Sequence, residues 1–581
     1  MNITNIGQEL LQGQQMGWLD MTIFCLTMIA SILVGVYFGF WGKKSDTMEE
    51  YLHGSRAMSV FPITASLIVT FVSGVTILAV PPEIYLFGTL YSLYCICHIF
   101  VGTATYYIFL PVFFELKITS TFEYLQLRFN MAVRIMASAL CTIYQVLFLS
   151  IIVYVPSLAV SRVVGIGFEV MAPVIFMICI VYTMLGGIKA VVYVDFLQAF
   201  IIVVCCVTII VLGLMEAGGF AAVWRTAEEG GRIKFFDMNP SPFERITFWS
   251  MLIGNTFYIL TTVSINQSMV QRYVSLPTFS KARISVVIST IGIVILSLMS
   301  CFTGLLIYSK YKDCDPITSK AIQRPDQIVA HYVMGFASTI PGLPGLFIAG
   351  ILCAALSTIS SNLNSMGATI YCDFLRPLLR KDISDRTANN IMKCIVVIVG
   401  VTSTLLVYVV SKLGNIIQVI TSLAGLTSGA MVGLFTFGML YPRGNTKGAL
   451  AGSIVSLIFM SWIAIGTLKA TSEKKIKPVM LPLRVDGCPA SVNVTQTSQT
   501  DTTEDDVFVL YKLSFSYYTL LGTIIMMLVG TIVSCLTEEP NKEQTDLVLF
   551  APFVRKILNK RRVSHSNSKE GKKLVGSESS C

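Results

Sequence analysis

Thirteen mainly apolar stretches run through this chain, at 18–41, 58–82, 84–113, 133–158, 168–186, 190–214, 246–272, 284–308, 342–370, 393–411, 416–440, 448–468 and 514–536. A helix needs roughly 20 such residues to cross a hydrocarbon layer of ~30 Å. Inside that layer every backbone polar group must be satisfied internally, which leaves helices as the solution for stretches of this kind. The sequence therefore predicts an all-α polytopic membrane protein of 13 transmembrane helices. Residues 18–536 form the transmembrane unit, 1–17 a polar amino-terminal segment and 537–581 a basic tail. Composition excludes the main soluble classes. Only 13% of the 581 residues are charged and 54% are apolar, against about 25% charged in soluble domains. The net charge of +9 comes mostly from basic residues in short connectors, so it signals topology and no nucleic-acid partner is expected. His53, His98, His331 and His565 form no HxxxH pair and no Gly-rich phosphate loop is present, so no cofactor and no enzyme are expected.

Orientation follows from the connectors. With the amino terminus outside, the short inner connections carry Lys43, Lys44, Lys117, Arg128, Arg134, Lys189, Arg272, Lys281, Arg376, Arg380, Arg443 and Lys447. The tail adds Arg555, Lys556, Lys560, Arg561 and Arg562. This is the positive-inside distribution, and it predicts an extracellular amino terminus and a cytoplasmic carboxyl terminus. The sequons at Asn2 and Asn493 then face outside as glycosylation acceptors. Plasma membrane is the expected address. The first apolar run has no basic region before it and no AxA-like site after it, so it reads as a retained span. Most of the fifteen cysteines lie in apolar runs as small core residues. Cys314 and Cys488 lie in outer polar loops, where oxidation permits a disulfide but sequence does not fix the pairing. The tail has the composition of a disordered segment and suits contact with anionic lipid.

Charges and hydroxyls inside spans carry the functional signal. Asp195 sits in VVYVDFLQAFIIVVCC with Gln198 as its only sizeable polar companion, and an intramembrane carboxylate costs several kcal/mol and marks an ion or substrate path. The run LCAALSTISSNLNS clusters Ser357, Thr358, Ser361 and Ser365 in an otherwise apolar helix; Ser357, Ser361 and Ser365 share one face. Hydroxyls and freed carbonyls suit a hard monovalent cation, although Ser and Thr also serve plain helix packing. Thr70, Ser73, Gly74 and Thr76 interrupt span two, and Thr261 to Gln267 interrupt span seven. Interrupted helices at corresponding places in two halves point to a transporter site, here in a five-plus-five repeat.

These segments resemble the sodium/solute symporter family: GGIKAVVYVDFLQ (Gly186 to Gln198), ALSTISSNLNS (Ala355 to Ser365), INQSMVQRY (Ile265 to Tyr273) and TSTFEYLQLRF (Thr119 to Phe129). The opening SLIVTFVSGVTILAVPPEIYLFG (Ser66 to Gly88) is similar to the branch that moves monocarboxylates, iodide and vitamins. The resemblance implies a LeuT-like five-plus-five inverted repeat, with an extra helix before it and two after it. It also implies Na⁺ as coupling ion, held by backbone carbonyls near Val69 and Val72 and of Ala354, and by the hydroxyls of Ser357 and Thr358. Asp195 with Ser361 is the implied place for a second sodium, although Val194 departs from the Thr common in the family. Thr70, Ser73, Thr76, Thr262 and Gln267 are the candidate substrate contacts. Thr76, where some branches have glutamine, fits a small organic anion such as a monocarboxylate better than iodide. A vitamin or iodide carrier, or a transport-dead sensor on the same scaffold, are the alternatives.

Overall fold

The computed structural model describes residues 17–41, 47–336, 340–379, 383–411, 416–473, 475–476, 479–488, 507–537 and 546–561. Asn2 and Asn493, the expected sugar acceptors, lie outside these residues, as do most of 1–17 and the end of the tail. The described residues are helical with no strand. Counting α-helices of eight residues or more, the order is α1 (Trp18–Val36), α2 (Val60–Phe71), α3 (Gly74–Phe87), α4 (Tyr94–Ala104), α5 (Met131–Val164), α6 (Phe168–Ala217), α7 (Phe220–Glu229), α8 (Gln267–Val274), α9 (Phe279–Tyr311), α10 (Leu343–Ile370), α11 (Asp385–Val410), α12 (Ile416–Leu440), α13 (Thr446–Ser472), α14 (Tyr518–Leu536) and α15 (552–561). Several start on a side-chain cap that satisfies an orphan N–H. Asn130 accepts from Val133 at 3.0 Å and Asn445 from Gly448 at 2.8 Å.

Among the described residues nine helices are long and apolar enough to cross a membrane. A tenth arises if Met48–Arg56 and Val60–Phe71, bent by 109°, count as one span. Gly74–Phe87, Ser250–Ile265 and Ala424–Leu440 are shorter apolar helices. The 50 residues of α6 hold two of the expected spans. They meet at Gly187, whose φ of 56° and ψ of −150° break the helical path. That backbone strongly favours glycine, and a Cβ there would stand 2.8 Å from the Tyr51 carbonyl oxygen.

One expected boundary moves. Span two was expected to end at 82, on the Pro81-Pro82 pair. Instead α3 runs through both prolines to Phe87 and stops at Gly88, with φ 86°. The prolines remove two donors, but the chain turns only where glycine permits it.

The core is centred on α10. Its apolar window is 94% buried, against 28–56% for the other eight long spans. It therefore contacts protein on all sides, and its polar groups must find partners in neighbouring helices. At the end where α3 stops, the loops form a cap. Cys314 and Cys488 are joined by a disulfide. Leu481 N–H donates to Leu86 O at 2.9 Å, and buried Arg232 donates to Tyr85 O at 3.2 Å and Pro482 O at 2.8 Å. At the opposite end, the expectation of an unstructured tail from 537 fails for 546–561. This segment is helical in part and docked on the body, because Leu549, Phe550, Ala551 and Val554 are buried.

Candidate functional site

The α2–α3 break supplies the site. Helix α2 ends when Val72 leaves helical geometry at φ −76°, ψ 86°. The last carbonyls of a helix lack intrahelical partners, and here the oxygens of Val69 and Thr70 turn to α10. Ser357 Oγ donates to Val69 O at 2.9 Å and contacts Ala354 O at 3.1 Å. Thr358 Oγ1 donates to Thr70 O at 3.1 Å and contacts Ala354 O at 3.2 Å. Two hydroxyl protons thus serve four oxygen–oxygen contacts. Five uncharged oxygens converge with too few protons to go round, the electronic surplus a hard monovalent cation seeks.

Of the expected sodium ligands, Val69, Ala354, Ser357 and Thr358 come together, and the Thr70 carbonyl joins them. Neither Ser357 nor Thr358 bonds the carbonyl of Val72, which is buried at the break itself. The reason is geometric. Carbonyls 69 and 70 still point along the α2 axis toward α10, whereas residue 72 has left the helix.

One turn further along α10 lies a charged cluster. Asp195 and Arg272 are 0% and 2% exposed, with Arg272 Nη2 3.2 Å from Asp195 Oδ2. Ser66 Oγ donates to the same carboxylate oxygen at 2.6 Å and accepts from Arg272 Nε at 2.6 Å. Ser361 Oγ lies 3.4 Å from Asp195 Oδ2, contacts Arg272 Nη2, and reaches Ser357 O at 2.6 Å and Thr70 Oγ1 at 2.9 Å. Ser361 therefore joins the two clusters. Asp195 Oδ1 has no hydrogen-bond partner among the described residues.

Arg272 was expected in an inner connector, as one of its topology charges. The structure buries it as the counter-cation of Asp195 instead. The signal was present, because a buried carboxylate requires a partner and the QRY run places an arginine just beyond the break in span seven. Gln198, expected as companion to Asp195, instead turns its amide to Ser31 Oγ at 3.5 Å.

The second break lies at Asn266, whose ψ of 128° separates Ser250–Ile265 from α8. Its side chain caps α8 by accepting from Ser268 N–H at 2.9 Å. The expected substrate contacts divide. Thr70, Ser73 and Thr76 lie at the first break, with Thr70 Oγ1 committed to Ser361. Thr262 back-bonds to Ile259 O at 3.0 Å within its own helix. Gln267 is committed elsewhere: its amide spans Thr121 N–H at 2.7 Å and Thr119 O at 2.8 Å in the connector before α5. His98, missed because it lies in an apolar run, is buried on α4 with its ring edge-on to Phe71 at 4.5 Å. Its Nε2 has no partner among the described residues.

A broken helix whose freed carbonyls meet serine and threonine hydroxyls is the architecture of an ion-coupled carrier, and comparison with known proteins decides which. Residues 51–456 match the model of the sodium:solute symporter family. The chain belongs to that family. This symporter is therefore a multi-pass membrane protein of a family that couples transport to Na⁺, and its relatives are transporters rather than enzymes. It is 35% identical over 536 residues to sodium-coupled monocarboxylate transporter 2 of Mus musculus, covering 92% of this chain and 86% of the relative. It is 35% identical over 538 residues to sodium-coupled monocarboxylate transporter 1 of Homo sapiens, at 89% and 87% coverage. A putative sodium-dependent multivitamin transporter of Drosophila melanogaster is 33% identical over 530 residues, at 90% and 87% coverage. The fold is shared with a Na⁺-coupled sialic acid symporter solved in a substrate-bound outward-open state, with TM-score 0.75, 24% identity, and 90% and 98% of the two chains covered.

Proposed function

We propose that this symporter imports a small organic anion, a monocarboxylate such as lactate, pyruvate or a short-chain fatty acid, across the plasma membrane by Na⁺-coupled alternating access. The observation that carries the reading is the convergence of the Val69, Thr70 and Ala354 carbonyls with the Ser357 and Thr358 hydroxyls. Sodium held there would replace the hydroxyl-to-carbonyl bonds that join α2 to α10. It would thereby couple its own binding to the shape of the break. In this reading the chain crosses the membrane 13 times as a five-plus-five inverted repeat with one helix before and two after. The amino terminus is extracellular and the carboxyl terminus cytoplasmic, in line with the connector charges.

A carboxylate substrate needs a donor, and His98 Nε2 beside Phe71, which has no partner among the described residues, supplies one in the tautomer protonated at that nitrogen. The monocarboxylate transporters among the relatives support that substrate class. The multivitamin relative supports the second reading, a vitamin carrier on the same scaffold. One sodium occupies the Ser357–Thr358 site. At Asp195 and Ser361 the Arg272 guanidinium already supplies a positive charge, so a second sodium there would have to displace it from Asp195 Oδ2. One sodium with one monovalent anion moves no net charge; two would draw about 2.3 kcal/mol per 100 mV from the membrane potential for the uncompensated charge.

The test is uptake of labelled lactate, biotin and iodide into cells expressing the chain, in NaCl and in choline chloride. Lactate uptake driven by sodium is the expected result; equal uptake in both salts removes the reading, and preference for biotin establishes the second. Ser357→Ala and Thr358→Ala should each raise the sodium concentration for half-maximal uptake about tenfold, the scale of one lost polar contact at ~1.4 kcal/mol. His98→Phe keeps an aromatic ring against Phe71 and removes the donor. It should raise the lactate KM about tenfold on the same scale while sodium activation stays unchanged.

A further inference from the structure

After its last long apolar helix the chain returns to the body. Tyr124 Oη donates to Leu549 O at 3.1 Å and Ala551 N–H to Met439 O at 3.1 Å. The guanidinium of Arg128 stands 4.9 Å over the Phe550 ring and donates to Gly438 O at 3.0 Å. Arg555 pairs with Glu115 at 2.5 Å and donates to Val548 O at 2.5 Å. These contacts fix the start of α15 on three separate segments of the body.

Helix α15 has two faces. Val554 is buried and Leu558 is half-buried, and this face, with Ala551 just before the helix, packs on Ile108 and Leu440. Ile108 and Leu440 belong to apolar helices, Thr89–Leu116 and Ala424–Leu440, and Leu440 is the last residue of the second, so α15 packs where that helix ends. On the other face Phe553 is 49% and Ile557 51% exposed. The two are neighbours at i, i+4. Beside them Lys556, Lys560 and Arg561 are exposed. A helix docked on one side, with a second apolar pair bordered by cations on the other, has the pattern of a helix lying in a membrane interface. The lysine and arginine stems extend the apolar strip while their heads reach outward.

We infer that α15 is a docking face for anionic phospholipid of the phosphatidylserine class. Phe553 and Ile557 enter the boundary of the acyl chains, and Lys556, Lys560 and Arg561 meet the headgroups. Charge complementarity selects this occupant, since three cations around an apolar pair repel a basic partner and leave a neutral lipid without a counter-charge. The lipid contact is rigidly linked to the Glu115, Tyr124 and Arg128 segments, so bound lipid steadies that end of the carrier. The assignment rests on the proposed cytoplasmic position of the carboxyl terminus, because the anionic leaflet lies on that side.

The test uses the purified full-length chain in detergent, titrated with phosphatidylserine or phosphatidylcholine, with bound lipid counted by native mass spectrometry. The expected result is retention of phosphatidylserine over phosphatidylcholine. Lys556→Gln, Lys560→Gln and Arg561→Gln should each lower phosphatidylserine affinity about fivefold, the effect of one cation near an anionic surface. Phe553→Ala with Ile557→Ala should weaken both lipids alike. Equal binding of the two lipids by the unaltered chain overturns the inference, as does unchanged phosphatidylserine binding by the triple Gln variant. A dimer mass that the Phe553→Ala, Ile557→Ala variant converts to monomer would also overturn it, by assigning the face to a second copy. The assay reads lipid choice without sodium or substrate and in no particular orientation. Failure of the transport reading would instead appear in the uptake panel, and failure of the orientation in protease access to the tail of intact cells.

Discussion

Among the described residues two arginine–aspartate pairs are buried, and they are built differently. Where the start of α5 meets the turn that follows α10, Asp373 has both carboxylate oxygens served. Oδ1 accepts from Arg134 Nε at 2.8 Å and Nη2 at 2.5 Å, and Oδ2 from Ser120 at 2.9 Å and Ser138 at 2.8 Å. The rest of Arg134 is spent on Gln126 and the Cys372 carbonyl. In the Asp195 cluster every donor crowds onto Oδ2 and Oδ1 is left alone. A fully paired buried ion is a rivet. A buried carboxylate oxygen with no partner costs about 1–3 kcal/mol, and native structures retain such groups where a role requires them. Asp195 stands next to the sodium-type oxygen cluster through Ser361 and Thr70. Among the described residues Asp373 has no such neighbour in its hydrogen-bonded network. The two pairs thus differ in how completely the acid is satisfied, and matched substitutions test whether they differ in role as well.

The largest expected effect tests the rivet. Arg134→Ala leaves Asp373 buried and uncompensated, and should cost about 3–5 kcal/mol. This would be seen as loss of monodisperse protein or a large fall in the thermal midpoint in detergent. Next comes the matched exchange of the two acids. Asp373→Asn should lower stability and leave sodium activation of the surviving carrier unchanged. Asp195→Asn should express near normally and change the sodium dependence or the charge moved per turnover. If the two variants behave alike in both assays, the distinction between the pairs is wrong. The smallest effects come from the serines. Ser138→Ala removes one of four donors to Asp373 and should cost about 1 kcal/mol with transport intact. Ser66→Ala removes the hydroxyl shared by Asp195 and Arg272, and should shift sodium activation more than stability.

The sequence announced some of this and hid the rest for physical reasons. The break in α2–α3 was legible because Thr70, Ser73, Gly74 and Thr76 interrupt an apolar run, and the Ser357–Thr358 pair because hydroxyls cluster where a lipid-facing helix would not keep them. Arg272 was read as a topology charge because linear position near a connector says nothing about which way a long side chain points. The direction of Gln267 was hidden for a similar reason. A polar residue in an interrupted span can face the break or the connector below it, and the Thr119–Thr121 backbone claims this one. The tail was read as unstructured from its composition. Its composition is indeed polar and basic, yet Leu549, Phe550, Ala551 and Val554 fill a recess formed by distant segments.

Hydropathy by itself determined that the chain is a helical membrane protein, because lipid leaves the backbone few alternatives and each span must declare itself locally in about twenty residues. The run LCAALSTISSNLNS declared the Ser357 and Thr358 hydroxyls, and the family resemblance supplied the carbonyls expected beside them. The tertiary structure alone decided that the Thr70 carbonyl, and not that of Val72, meets those hydroxyls, which cation neutralises Asp195 and where the tail docks. These depend on contacts between residues far apart in the chain, such as Ser66, Asp195, Arg272 and Ser361. No local pattern encodes such contacts, because burial creates the demand for a partner and only packing determines which partner arrives.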